Sequence, residues 1–185
     1  HEIAVKLYQD NLFSPDGKDA LNYLTQRGLT EDILKQFKVG FAHDTWDQLV
    51  LQCKGKGFTH SQILQSGLFT HSDKGTFDRF RSRIMFPVFH PSGKPIAFGG
   101  RIFNSDDPAK YLNSPETPLY RKGSVFYGLQ ASRDAIRKEG YAVLVEGYMD
   151  FLKLYQASIH PVVAVSGTAF TPSHATALSR ITNKV

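Results

Sequence analysis

Tyr141-Ala142-Val143-Leu144-Val145-Glu146-Gly147-Tyr148-Met149-Asp150 is the stretch whose reading decides the fold. Its five apolar residues read as a buried parallel strand, and a helix is expected over residues 148–157. Residues 131–138 upstream also read as helical. Downstream, Pro161 to Val165 forms a second apolar run, and Thr171-Pro172 is an N-cap and N1 pair that opens a helix through Arg180. The order β-α-β-α predicts an open α/β sheet. Glu146 then stands at the carboxyl end of a strand, where such sheets bind ligands. A hard cation such as Mg²⁺ needs carboxylate oxygens, and Glu146 and Asp150 are the candidates to supply them. A polar strand end beside an ordinary helix acid explains the same two residues equally well. Ser166-Gly167-Thr168 reads either as crevice lining or as a strand-to-helix turn.

Working back toward the amino terminus, residues 76–128 carry strand patterns. Arg83 to Phe89 and Pro95 to Phe98 flank Pro91-Ser92-Gly93-Lys94, which predicts a β-hairpin. Gly99-Gly100 gives backbone freedom before Arg101. Pro108, Pro115 and Pro118 predict an irregular exposed loop over residues 104–122, and ordered loops of that length tend to be functional. Within it, Lys110, Tyr111, Asn113 and Ser114 combine a cation, an aromatic and small hydrogen-bonding groups, which suits nucleotide or single-strand contact and ordinary turn formation alike. In Asp78-Arg79-Phe80-Arg81-Ser82-Arg83, an extended backbone would put Arg79, Arg81 and Arg83 on one face, either as a phosphate-facing ridge or as a charged sheet edge.

Residues 1–70 read as helical, with an apolar stripe at Ala20, Leu21, Tyr23 and Leu24 that resumes at Ile33, Leu34 and Phe37. Gly28 is the expected stop of the first helix, Thr30 the N-cap of the next, and Gly40 its end. Thr45-x-x-Gln48 and Thr59-x-x-Gln62 fit the capping-box pattern, which makes four short helices. Trp46 and Phe58 are expected to pack inside, and Cys53 to be a small buried apolar residue.

With 41% hydrophobic residues in 185, the chain has the composition of a globular protein. One cysteine excludes an internal disulfide framework and a multi-cysteine zinc site, and the histidines do not cluster. No apolar run is long enough to span a bilayer and no signal peptide pattern opens the chain, which predicts a soluble, cytoplasmic protein. The net charge of +5 is localised. Residues 74–123 hold nine of the 22 Lys and Arg but only four of the 17 Asp and Glu, so the two signs balance elsewhere. Such a segment suits a polyanionic partner, although a solvated basic surface is the simpler account of charge alone.

Taken in order, the motifs Arg79-Phe80-Arg81-x-Arg83-Ile84-Met85-Phe86-Pro87, Phe98-Gly99-Gly100-Arg101, Lys110-Tyr111-Leu112-Asn113-Ser114-Pro115-Glu116-Thr117, Tyr127-Gly128-Leu129 and Glu146-Gly147-Tyr148-Met149-Asp150 resemble the catalytic core of bacterial DnaG-type DNA primases. The resemblance covers nearly the whole chain. It implies an α+β N-terminal subdomain over residues 1–128, followed by a truncated α/β Toprim (Rossmann-like) subdomain over residues 129–185. It implies RNA primer synthesis on single-stranded DNA by metal-dependent nucleotidyl transfer, with NTPs as substrates and an RNA–DNA hybrid as product. Glu146 would be the metal-linked acid, with Mg²⁺ or Mn²⁺, and Asp150 a supporting carboxylate. Arg79, Arg81, Arg83, Arg101, Lys110 and Lys122 would line a groove for template or nucleotide, with Tyr111, Asn113 and Ser114 beside them.

The resemblance further implies a monomer that engages no membrane. A family Asp-x-Asp pair is expected beyond Val185, a zinc ribbon before residue 1, and a helicase-binding domain outside the chain, so the segment alone is expected to be inactive. Two other classes fit parts of the pattern. A non-catalytic single-strand-binding module would share the basic groove, and a Toprim nuclease or topoisomerase would share Glu146.

Overall fold

Strand β4 (Arg83–Phe89) carries apolar side chains on both of its faces, and all seven of its residues are buried. Successive side chains of a strand point to opposite sides, so such a strand demands a core on each face. The computed structural model, which describes residues 1–167 and 169–185, supplies both. Ile84, Phe86 and Val88 enter one apolar cluster, and Met85 enters another. Antiparallel partners flank β4: β1 (Gly40–Ala42) on one side and β5 (Pro95–Ile102) on the other, with β6 (Tyr111–Asn113) beyond β5. A separate hairpin joins β2 (Phe69–Ser72) to β3 (Gly75–Asp78).

The helices cover the two faces. Helix α1 (Glu2–Leu12) lays Ala4, Val5 and Tyr8 against Phe80, Met85 and Phe98. Helices α2 (Lys18–Gln26) and α3 (Glu31–Gln36) bring Leu24, Ile33 and Leu34 to the opposite face. Two shorter helices, α4 (Gln48–Cys53) and α5 (His60–Gln65), lie beside the hairpin. The second half contains α6 (Leu129–Glu139), β7 (Val143–Val145), α7 (Tyr148–Gln156), β8 (Val162–Ala164) and α8 (Pro172–Ser179). Strands β7 and β8 are parallel, with Val143 opposite Val162. β8 is also two-faced: Val162 and Ala164 join the core beneath β4, whereas Val163 packs with Phe126, Ile136 and Leu178.

This is the expected α+β part followed by a parallel α/β part. No sheet runs through both among the described residues, yet one core does. Tyr148, Phe151 and Leu152 of α7 pack in the same cluster as Leu24, Leu34 and Phe86. Tyr127 pairs with Ala164 through both backbone hydrogen bonds, so the strand edge of the second half reaches back across residue 128.

Several local expectations need correction. Five α-helices precede residue 70 rather than four, because α1 was not anticipated, and Gly40 opens β1 instead of ending a helix. Thr45 caps nothing: α4 takes its cap from Asp78, whose carboxylate accepts from the Leu49 and Val50 N–H groups at 2.7 and 3.0 Å. Gly99 and Gly100 lie inside β5, and β6 forms within the predicted loop. Strand β7 is half-buried, having a strand partner on one edge only among the described residues. Trp46 and Phe58 are exposed, at 59% and 47%, and Cys53 is half-buried. The reading of Thr168 lies outside the described residues.

Two glycines admit the second half. A Cβ on Gly99 would lie 2.2 Å from the Tyr148 ring, and one on Gly128 would lie 2.0 Å from Phe151. Gly128 also has a left-handed backbone, φ +82. Gly128→Ala therefore combines a left-handed conformation with overpacking and should lower unfolding stability by about 2–5 kcal/mol. Gly140→Ala, at φ +77 with open space around it, should lose only about 1–2 kcal/mol. Denaturant titration of the two variants side by side checks this.

Candidate nucleotide and metal site

The turn after β7 carries the acids. Glu146 follows the strand directly, its side chain is exposed, and among the described residues its carboxylate has no hydrogen-bond or ion-pair partner. Gly147 is the N-cap residue of α7, and a Cβ there would lie 3.0 Å from Asp150 Oδ2. The Asp150 carboxylate thus lies back over the first turn of α7, where the free N–H groups and helix dipole favour negative charge. The Gly167 N–H donates to the Glu146 carbonyl at 3.3 Å, which ties this turn to the end of β8.

Strands β5 and β6 bring up the facing groups. Arg101 stacks over the Tyr23 ring, 4.9 Å from its centroid, and lies near Tyr111. Burial raises the Tyr111 phenol above its ordinary pKa, with Arg101 acting the other way and the nearby Asp150 charge adding to the rise. Arg101, Tyr111 and Asp150 therefore belong to one neighbourhood. Asn113 donates from Nδ2 to the Ser166 carbonyl at 3.1 Å and accepts the Tyr148 hydroxyl at 2.7 Å on Oδ1. Its own carbonyl receives Arg79 Nη2 at 3.4 Å. Desolvation, with the Arg83 charge nearby, lowers the Arg79 pKa.

The three arginines do not form a shared ridge. Ser82 has a left-handed backbone, φ +48, and this breaks the strand alternation on which a common face depends. Arg83 is only 1% exposed. It donates to the Gly100 and Ala109 carbonyls at 3.2 and 2.9 Å and pairs with Asp107 Oδ2 at 2.7 Å. Those bonds use the guanidinium to hold the segment leading into β6, so Arg83 is a buried support and not a groove cation. Arg81 takes a third course: it bonds the Asp78 carbonyl and lies over the exposed Trp46 ring at 3.9 Å, with Phe77 edge-on to that ring at 5.7 Å.

Ser114 is also a support, buried, with Oγ accepting the Phe98 N–H at 3.0 Å. Lys110 is exposed just before β6. The Lys122 backbone N–H donates to Glu116 Oε1 at 2.9 Å, and its turn is fastened to α8 through Thr171 and the Gly123 carbonyl. Tyr148 and the Trp46 platform were missed in the sequence. A signal for Trp46 existed in Asp44-Thr45-Trp46-Asp47, whose polar neighbours give no apolar stripe. Tyr148 had none, since its setting depends on Gly99 far upstream. Among the described residues, no three His, Cys, Asp or Glu side chains converge as a metal cage.

The family model for the N-terminal domain of the DNA primase catalytic core matches residues 7–133, and a Toprim domain model matches residues 140–185. DNA primase from Clostridium acetobutylicum is 42% identical over 167 residues, 90% of this chain and 28% of the relative. DNA primase from Pseudomonas aeruginosa is 44% identical over 181 residues, 96% of this chain and 27% of the relative. This chain thus spans about three tenths of the length of these relatives. Among solved structures, the RNA polymerase domain of Mycobacterium tuberculosis primase DnaG, in complex with a double-stranded DNA oligomer with a 6-nucleotide overhang, superposes with a TM-score of 0.93 at 36% identity. The match covers 97% of this chain and 57% of that one. A DnaG primase catalytic domain bound to ssDNA gives 0.90 at 37% identity, covering 100% of this chain and 57% of that one.

The arginines should separate in stability measurements. Arg83→Ala loses three bonds from a buried group and should cost about 2–4 kcal/mol, whereas Arg81→Ala, at the surface, should stay within about 1 kcal/mol. The Asp107 carboxyl is held below its ordinary pKa, first by the Ala109 N–H and then by Arg83. A lowered folded pKa gives stability that is present above the unfolded value of about 3.9 and is lost as pH falls through the folded one. The stability gap between wild type and Asp107→Asn should therefore be full near neutrality and close on acidification below about pH 4. A gap independent of pH would contradict the pairing.

Proposed function

Because the chain belongs to the family of the DNA primase catalytic core, we propose that it is the nucleotide-joining part of a DNA-directed RNA polymerase of the primase type, making short RNA primers on single-stranded DNA. The observation that carries this reading is the unpaired Glu146 carboxylate at the carboxyl end of β7, next to Asp150 and near the Arg101–Tyr111 pair. A carboxylate without a partner at such a position is free to meet a cation. Mg²⁺ or Mn²⁺ suits it: these ions take one or two protein carboxylates and fill the remaining positions with water and substrate phosphate oxygens. Glu146 would hold the metal and Asp150 would support it. When bound, the ion supplies charge neutralisation at the reacting phosphate and its oxygens.

The protein's own groups do the positioning. Arg101, already stacked on Tyr23, offers a planar set of donors to a triphosphate with little further ordering. Lys110 adds an exposed point charge. The Trp46–Arg81 platform suits a template strand, because a base can stack on the ring while the guanidinium meets backbone phosphate. Base pairing would select each nucleotide, and the protein would read the strand through its backbone. The complexes of related primases with DNA support a nucleic-acid partner. We propose that residues 1–128 grip the template and residues 129–185 carry the acids. A binding module without chemistry is the second reading, and the exposed Trp46 favours it as much as the first. A Toprim nuclease or topoisomerase accounts for residues 140–185 but leaves residues 7–133 without a role.

In the full protein, Glu146→Gln should lower primer synthesis by on the order of 10² or more while template affinity holds. Synthesis at the wild-type rate would remove Glu146 from the reaction, and a full protein that binds DNA but never extends a primer would favour the binding module. Trp46→Ala should weaken single-stranded DNA binding by about 1–3 kcal/mol. Arg81→Ala should reduce the salt slope by about one unit. Fluorescence anisotropy across a salt series reads both; unchanged binding in both variants would dismiss the platform.

A further inference from the structure

We propose that Tyr148 is a positioning residue that fixes Glu146 through a closed ring of contacts spanning both halves of the chain. The inference rests on the reading of Glu146 as the metal-linked acid. The ring starts at Glu146 and passes through Gly147 to Tyr148, the first residue of α7. The Tyr148 hydroxyl donates to Asn113 Oδ1 at 2.7 Å and lies beside the Ser166 hydroxyl. Asn113 sits in β6 opposite Gly99 and donates its Nδ2 to the Ser166 carbonyl at 3.1 Å. Gly167, next in sequence, donates its N–H back to the Glu146 carbonyl at 3.3 Å and closes the ring.

Tyr148 is held from outside the ring as well, and Ser166 and Asn113 are constrained within it. The Tyr148 side chain is stacked on Phe86, with centroids 4.9 Å apart and planes at 5°, and Tyr127 meets it edge-on at 4.9 Å. It occupies the space over Gly99 that any side chain would fill. Ser166 holds a left-handed backbone, φ +58, which a non-glycine residue keeps only where its surroundings enforce it. Asn113 has both ends of its amide engaged, and this fixes its orientation. Two arrangements of the acid-bearing turn would have to break this ring in different places, so the ring selects one. Its hydroxyl link is the part that a purely apolar packing residue would not need.

Tyr148→Phe keeps the ring stacking and removes only that link. Four measurements on the full protein test the idea: Mn²⁺ affinity by electron paramagnetic resonance of free Mn²⁺, kcat and KM for dinucleotide synthesis, single-stranded DNA affinity, and melting temperature. Tyr148→Phe should weaken Mn²⁺ binding and lower kcat, each by about 10–100-fold, as loss of a group orienting a metal ligand does. DNA affinity should hold. Asn113→Asp, which keeps an oxygen for the Tyr148 hydroxyl, should lose less than Asn113→Leu. Tyr148→Phe combined with Asn113→Leu should be no worse in kcat than Asn113→Leu alone, since both cut one chain of contacts. A Tyr148→Phe variant that melts lower but binds Mn²⁺ and turns over like wild type would overturn the proposal, as would additive losses in the double variant. Glu146→Gln separates the two levels: if it binds Mn²⁺ and synthesises normally, the underlying reading falls and the inference falls with it. If it loses both while Tyr148→Phe loses neither, only the inference falls.

Discussion

A strand apolar on both faces is the constraint from which the rest of this structure follows. β4 cannot remain in a two-layer arrangement, because one of its faces would then meet water. Helix α1 and the β2–β3 side answer for Met85, while α2, α3 and the second half of the chain answer for Ile84, Phe86 and Val88. Burial of side chains of this size is worth roughly 1.5–3 kcal/mol each, so recruiting α7 into the second core ties the position of the acid-bearing turn to overall folding stability. Phe86 is where the two meet, since it is both a β4 core residue and the surface on which Tyr148 stacks.

The same burial sorts the basic residues. Charge alone placed a cationic segment between residues 74 and 123, and charge alone treats its arginines as equivalent. Desolvating a guanidinium is costly unless its donors are satisfied, and Arg83 meets that condition with two carbonyls and one carboxylate. Arg81 keeps solvent contact and rests its flat face on Trp46. Arg101 falls between, half-buried and stacked on Tyr23. These three arginines thus resolve into one structural cation and two outward-looking ones, and of the three only the latter are free to meet phosphate.

What could be read from the sequence divides by the range of the interaction involved. Thr30, Thr59 and Thr171 cap helices through bonds to N–H groups three residues on, and each was legible for that reason. The cap of α4 comes from Asp78 on another element, and Thr45, with the right spacing, does nothing. β6 hid inside a proline-marked loop because three residues have no period of their own, and pairing with β5 makes them a strand. The place of Glu146 was legible because an apolar run ending in an acid and a glycine is a local pattern. The arrangement around it was not: Tyr148 depends on the absent side chain of Gly99 and on Asn113, both in the other half.

That division bears on how the two halves can cooperate. The Trp46–Arg81 platform is organised by Asp78, which caps α4, donates its N–H to the Trp46 carbonyl at 2.7 Å and accepts Arg81 through its own carbonyl. The acids are organised by the turn between β7 and α7. No ion pair among the described residues joins the two sets, and each has its own apolar support: Phe80 and Leu49 on the platform side, Phe151 and Leu152 on the acid side. Point substitutions near the platform therefore leave the supports of the acid-bearing turn in place, and the reverse holds. The two sets become coupled only at the sheet, where Arg79 reaches the Asn113 carbonyl and Asn113 in turn holds Tyr148. Arg79 lies two residues before Arg81, so the segment that carries the platform also contacts the ring around Glu146. The sheet edge at β6 is thus where the platform segment and the acid-bearing turn meet.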